Sequence, residues 1–234
     1  MLNNDYFYND IIRKYIIIFG SVFNNLIIKR NDKTGAVIQA INVPIEYADK
    51  EKMITRVKAD PGLDRKDAII LPRMSFDIMH IEYDASRKVG TMGRVSSGLS
   101  NTNVSSTYAP VPYNMAVNLY IYVKNNTDGT KIIEQILPFF TPDFTVKANI
   151  IPGLQSQDVP IVLNSVNIED NNTTDNVIAD RKVLIWVLSF TIKGNFYGPT
   201  KIIPVINTIN MTLQVGSGPV QTDTLFDFGV EAVT

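Results

Sequence analysis

Apolar residues recur at every second position between Tyr113 and Lys124, where Tyr113, Met115, Val117, Leu119, Ile121 and Val123 alternate with Asn114, Ala116, Asn118, Tyr120 and Tyr122. A period of two puts the first set on one face of a β-strand. Asn125-Asn126-Thr127-Asp128-Gly129 follows, a run that tolerates turn and left-handed geometry and whose Thr or Asp can cap a helix. The helix is expected from Thr130. There Ile132, Ile133, Ile136, Leu137 and Phe140 fall into one stripe at the helical period, leaving Lys131, Glu134 and Gln135 for the solvent side. Pro138 and Pro142 end it, and Phe144–Ile150 reads as a second strand.

The same reading extends outward from this unit. Ile11, Ile12, Tyr15, Ile16, Phe19 and Phe23 have helical spacing within Tyr8–Asn24, with Asn9 or Asp10 as a cap, although the β-forming run Ile16–Phe19 leaves a strand open as the alternative. Leu26–Arg30 and Ala36–Val43, joined by Asn31-Asp32-Lys33-Thr34-Gly35, predict a hairpin. Asp49–Ala59 predicts a short amphipathic helix stopped by Asp60-Pro61-Gly62, and Ala68–Leu71 with Arg73–Tyr83 a long strand region. Val159–Ile168 and Lys182–Phe196 are further strands. The latter is apolar on both faces and so is expected at the centre of the sheet. Asp84–Val111, rich in Ser, Thr, Asn and Gly, predicts a long loop of the length usually kept for function. The prolines after Gly198 predict an extended arm with one or two edge strands.

The string IIEQILPFFTPDF within the central unit resembles the most distinctive segment of the tail completion and sheath-stabiliser family of contractile-tailed, T-even-like bacteriophages. Four more blocks resemble the same family in the same order: YFYNDIIRKYIIIFGSVFNNLIIKRND, VPIEYADKEKM, AIILPRMSFDIMHIEYDAS and RKVLIWVLSFTIKGNFYGP. Together they span Tyr6 to Pro199, and the resemblance does not extend into the arm. It implies a hexameric ring on the tail tube and the last sheath ring. Such a ring stabilises the extended sheath and offers the attachment surface for the neck of the head. The implied partners are further copies of the chain, the tail sheath protein, the tail tube or tube terminator, and neck proteins. The implied location is the head-proximal end of the tail in the virion, after assembly in the host cytoplasm. A tube terminator of the same ring-forming kind and a monomeric β-rich ligand-binding module are the alternatives.

Composition narrows the classes. A chain of 234 residues that is 45% hydrophobic can bury a sizeable core, so residues 1–199 are read as a single α+β domain and 200–234 as the arm. The expected class is α+β, a mainly antiparallel, twisted and sandwich-like sheet with two to three short helices packed on it, ring-forming. With 22 Lys and Arg against 23 Asp and Glu, the net charge of −1 supplies no long-range field for a nucleic-acid backbone or an anionic membrane. The longest apolar stretch, from Tyr15, is broken by Asn24 and Asn25 before the roughly 20 residues of a membrane span. No secretory signal is read at the N-terminus. The absence of Cys rules out disulfides and thiolate chemistry and suits a reducing compartment.

Catalytic chemistry finds little footing. The single histidine, His80, shares a strand face with Glu82, but two ligands do not make a metal site and no second His exists for one. Asp170–Asn176 is rich in oxygen ligands without calcium-loop spacing, and Gly90-Thr91-Met92-Gly93-Arg94 lacks the Lys-Ser/Thr of a phosphate loop. No cofactor is expected. Arg87, Lys88 and Arg94, with no acid between them, form a small basic cluster inside the expected loop and are the candidate subunit or partner contacts. Tyr6, Phe7 and Tyr8 read equally as a partner contact or as a packing staple for the first helix.

Overall fold

The computed structural model describes residues 6–31, 37–59, 71–98, 103–170 and 183–204. The expected Asn31–Gly35 turn after Asn31, the Asp60-Pro61-Gly62 stop, Ala68–Ile70, the loop 171–182 and the arm beyond Pro204 lie outside these residues. Among the described residues are three α-helices: α1 (Ile11–Val22), α2 (Lys50–Ala59) and α3 (Asn126–Ile136). The strands are β1 (Ile27–Asn31), β2 (Val37–Asn42), β3 (Ile45–Tyr47), β4 (Arg73–Tyr83), β5 (Arg94–Gly98), β6 (Asn103–Tyr108), β7 (Val111–Val123), β8 (Asp143–Ala148), β9 (Gln157–Asp170), β10 (Leu184–Phe196) and β11 (Lys201–Pro204).

Six strands form the main sheet in the order β3-β4-β7-β10-β9-β8. Only β3 and β4 run parallel. β10 pairs with β7 along its whole length, Leu184 opposite Val123 through Phe196 opposite Val111, and with β9 on its other side. This is the central position that its two apolar faces require. The class is therefore α+β with a mainly antiparallel sheet, as the patterning predicts.

Why both faces are apolar follows from the helices. Met115, Val117, Leu119, Ile121 and Val123 of β7 and Leu188, Phe190 and Ile192 of β10 face a core built with Ile11, Tyr15 and Phe19 of α1 and Ile132, Ile133 and Ile136 of α3. Tyr120, Tyr122, Ile185 and Val187 point the other way, against Met53 of α2. α2 covers one end of that second face. Beyond it the strands show an amide lattice instead, in which Ser189 donates to Asn118 and Asn164 to Thr191.

Phenylalanines fill the centre of the larger core. Phe190 lies 5.3 Å from Phe19, 5.4 Å from Phe23 and 5.2 Å from Phe140, ring centre to ring centre. Phe140 also stacks nearly parallel on Phe23. Of the two phenylalanines in the PFF string, Phe140 is thus core and Phe139 stands in solvent.

Three expectations change. α3 begins at Asn126 rather than Thr130, so Asp128 and Gly129 belong to the helix. Glycine is needed there because a Cβ would come within 2.5 Å of Trp186 Nε1. Lys131 and Gln135 are half-buried and do more than face solvent. Lys131 Nζ donates to the Lys29 carbonyl and Gln135 Nε2 to the Ile27 carbonyl, while Arg30 donates to the buried Asp128 carboxylate at 2.6 Å. Asp128, Lys131 and Gln135 lie three and four residues apart on one stripe, and this stripe holds the β1–β2 hairpin by its outer edge. Finally, Asp84–Val111 is not a loop. It holds a 3-10 turn at Ala85–Arg87 and the hairpin β5–β6, to which β11 adds a third strand in the order β11-β6-β5.

Candidate functional site

The three-stranded sheet sets the site apart from the core. None of its strands contributes a residue to either apolar cluster, and the buried side chains of β6 are Ser105, Ser106 and Thr107. Such strands show no apolar alternation in the sequence, so they read as a loop. Met92, Tyr108, Ile202 and Ile203 are exposed on or beside this sheet, and Met92 is 91% exposed. Apolar side chains gathered on the surface of a small sheet mark a contact area more than a folding core.

The basic cluster divides into three roles. Arg87 is committed to internal bonds: its Nε donates to Asp84 at 2.8 Å, and its Nη2 to the Tyr113 carbonyl at 3.2 Å and to Asn114 Oδ1 at 2.9 Å. It ties the turn after β4 to the start of β7. The guanidinium of Arg94 lies 5.2 Å from the ring centre of Tyr108 across the β5–β6 pair, in cation–π range. Lys88 is exposed and carries no side-chain hydrogen bond or ion pair among the described residues. The role of Arg87 is invisible in sequence because Asn114 is 27 residues away.

Asp84 feels this arrangement directly. Its bond to the Arg87 guanidinium, followed by that to the Ser86 hydroxyl, holds the carboxyl well below its usual range. Glu46 of β3 is shifted the same way, first by Arg56 and then by Arg73. A depressed carboxyl stabilises the fold above its unfolded-state value of about 3.9 for Asp, and that contribution is lost as pH falls through the folded value. Asp84→Asn should therefore be less stable than the parent chain at pH 6, by a gap that begins to narrow only as pH falls below about 4. Urea titrations followed by circular dichroism on both sides of that value check this, and an unchanged gap would refute it.

His80 and Glu82 lie exposed on β4, and no group of three or more His, Asp or Glu able to hold a metal occurs among the described residues. No helix among these residues is long and apolar enough to cross a membrane. Tyr6, Phe7 and Tyr8 are all exposed, Tyr6 at 91%, so the aromatic triplet lies outside the core. Asn9 behind it donates to the carbonyls of Tyr197 and Gly198, fixing the triplet beside the end of β10.

Two clefts accompany these surfaces. One of about 190 Å³ lies between β5 and the turn before β9, lined by Ser96, Ser97, Ser156, Gln157 and Tyr197. The other, about 210 Å³ and apolar, lies under Phe139 between the ends of α1 and α3, lined by Phe23, Ile136, Phe140 and Phe144. Tyr197 is the one titratable side chain lining either, and both are small beside the roughly 300–1,000 Å³ of ordinary ligand pockets.

The small sheet and the aromatic triplet thus leave apolar and basic side chains on the surface. Comparison with known proteins gives the kind of protein. The profile of the T4-like virus Myoviridae tail sheath stabiliser family matches residues 6–230, and the chain belongs to that family. It is 32% identical over 204 residues to the "Tail completion protein gp15" of Enterobacteria phage T4, covering 83% of this chain and 73% of that protein. It is thus a structural phage tail protein and not an enzyme. The match also runs through most of the segment after Pro199, which the sequence blocks left unanchored.

Proposed function

We propose that copies of this chain close into a hexameric ring at the head-proximal end of a contractile tail, hold the sheath and tube in their extended form, and present the surface that the neck of the head joins. The observation that carries this reading is the family match over residues 6–230, because a sheath stabiliser must bind without turnover. The relative's printed name, a tail completion protein, fits the same place.

The mechanism is a shift of equilibrium. A ring that binds the extended sheath and not the contracted one stabilises the extended form by the difference in its two affinities, about 1.4 kcal/mol for each factor of ten. A head-to-tail interface repeated by a rotation that closes gives a ring of defined size. The small sheet and its rim, with Lys88 and Arg94, serve as a contact surface, while Arg87 holds the turn after β4 to the start of β7.

The test adds purified chain to tails assembled without it and scores sheath contraction by electron microscopy. Bound rings of six and a lower contracted fraction are expected. Tails that contract equally with and without the chain would overturn the reading. A variant with Arg94–Tyr108 replaced by a short Gly-Ser linker should keep the six-stranded sheet and lose tail binding.

A further inference from the structure

Helix α1 separates two apolar features that match each other. At its N-terminal end the triplet Tyr6–Tyr8 stands in solvent, and even Phe7, with no polar group on its ring, is 49% exposed. At its C-terminal end opens the apolar cleft of about 210 Å³ lined by Val22, Phe23, Ile136, Phe140 and Phe144 and roofed by Phe139, itself 65% exposed. An apolar cavity of about 150 Å³ holds a benzene ring, so this cleft admits one aromatic side chain. A phenol buried there would need a partner for its hydroxyl, which makes Phe7 the ring that suits it.

The triplet falls short of its own cleft. The 12 residues of α1 extend about 18 Å, and the cleft begins only at the last of them. From Asn9, bonded to the carbonyls of Tyr197 and Gly198, the chain back to Tyr6 spans about 10 Å at full stretch. Charge is complementary at the two ends. Arg13, in the first turn of α1, is exposed and has no ion pair among the described residues. Glu134 and Asp143, next to Gln135 and Phe144 of the cleft lining, are exposed acids in the same condition. Between the two ends α1 also exposes Ile12 and Ile17.

We infer that Phe7 of one copy of this chain seats in the cleft under Phe139 of the next, so that the two ends of α1 form a head-to-tail contact between copies. Projection and cleft lie on different surfaces of one molecule. Each contact therefore leaves a free cleft on one copy and a free triplet on the other, which is the condition for adding further copies until a rotation closes the ring. A buried aromatic ring surrounded by apolar walls, with opposite charges outside them, is the usual make-up of a strong contact between proteins.

This inference rests on the self-association proposed above and names the surface that performs it. The test uses two full-length variants. One combines Tyr6→Ala, Phe7→Ala and Tyr8→Ala; the other, Phe139→Lys, removes the roof of the cleft and sets a cation against Arg13. All four side chains are exposed, so circular dichroism should match the parent. Light scattering across concentrations reads the mass, and electron microscopy reads rings on tails assembled without the chain. The parent is expected as a ring and each variant alone as a monomer. An equal mixture of the two should give a dimer and nothing larger, because one variant keeps the cleft and the other the triplet. Variants that assemble as the parent does, or a mixture that stays monomeric, would overturn this contact and leave the ring standing. A parent that stops at a dimer would overturn the head-to-tail arrangement. Where the parent closes only on tails, rings formed there by either variant alone would overturn the contact. A parent that forms rings neither in solution nor on tails would remove both readings.

Discussion

Replacing Phe190 by alanine should lower the unfolding free energy by about 3–5 kcal/mol, the range for removing a buried aromatic ring. Phe190 is 1% exposed and touches a ring of α1, the ring that follows it at Phe23, and Phe140 beyond α3. No single neighbour can move into the space, because Phe23 and Phe140 already stack on each other and Phe19 is held by Phe76. The cavity term therefore adds to the loss of transfer energy. Urea unfolding of Phe190→Ala beside Phe190→Leu separates the two contributions. A loss below about 1.5 kcal/mol for the alanine variant, the level of a volume-conserving swap, would mean that the core is not packed around this ring.

Arg30→Ala should cost about 2–3 kcal/mol, more than the about 0–1 kcal/mol of a surface ion pair. Asp128 is only 7% exposed at its side chain, and its bond to Arg30 spans 98 residues. Removing the cation leaves a carboxylate almost out of water, whereas Arg30 itself is 40% exposed and loses little when freed. The fully buried case costs about 3–5 kcal/mol, and the half-exposed arginine brings the expectation below it. The double variant Arg30→Ala with Asp128→Asn should recover part of the loss, which a double-mutant cycle in urea measures. Equal losses for the single and double variants would show that the unpaired charge is not the source.

These positions illustrate what the amino-acid order reveals. The strand β7 and the helix α1 were legible because an apolar face writes a period of two or of 3.6 into the chain, and β10 because it is apolar on both of its buried faces. The preference of α1 for helix over strand, left open by Ile16–Phe19, is settled by Tyr15, Phe19 and Phe23 meeting the sheet on one side. The start of α3 was not legible. Asn125–Gly129 has turn chemistry, and only the approach of Trp186 explains a glycine inside the helix. The β5–β6 hairpin escaped for the opposite reason: its buried side chains are Ser and Thr, so no apolar period marks it. Among the candidate contacts, residue type identified Arg87, Lys88 and Arg94 as charges. It could not separate Arg87, bound to Asp84 and Asn114, from its exposed neighbour Lys88.

The bonds from Asn9 to the carbonyls of Tyr197 and Gly198 join positions 188 and 189 residues apart. They place the exposed aromatics Tyr6–Tyr8 at the root of β11, so two regions remote in sequence share one corner of the molecule. A bulky label attached near Tyr6 would crowd the path of the chain as it leaves β10, and both regions have to adapt together to any partner that seats at that corner.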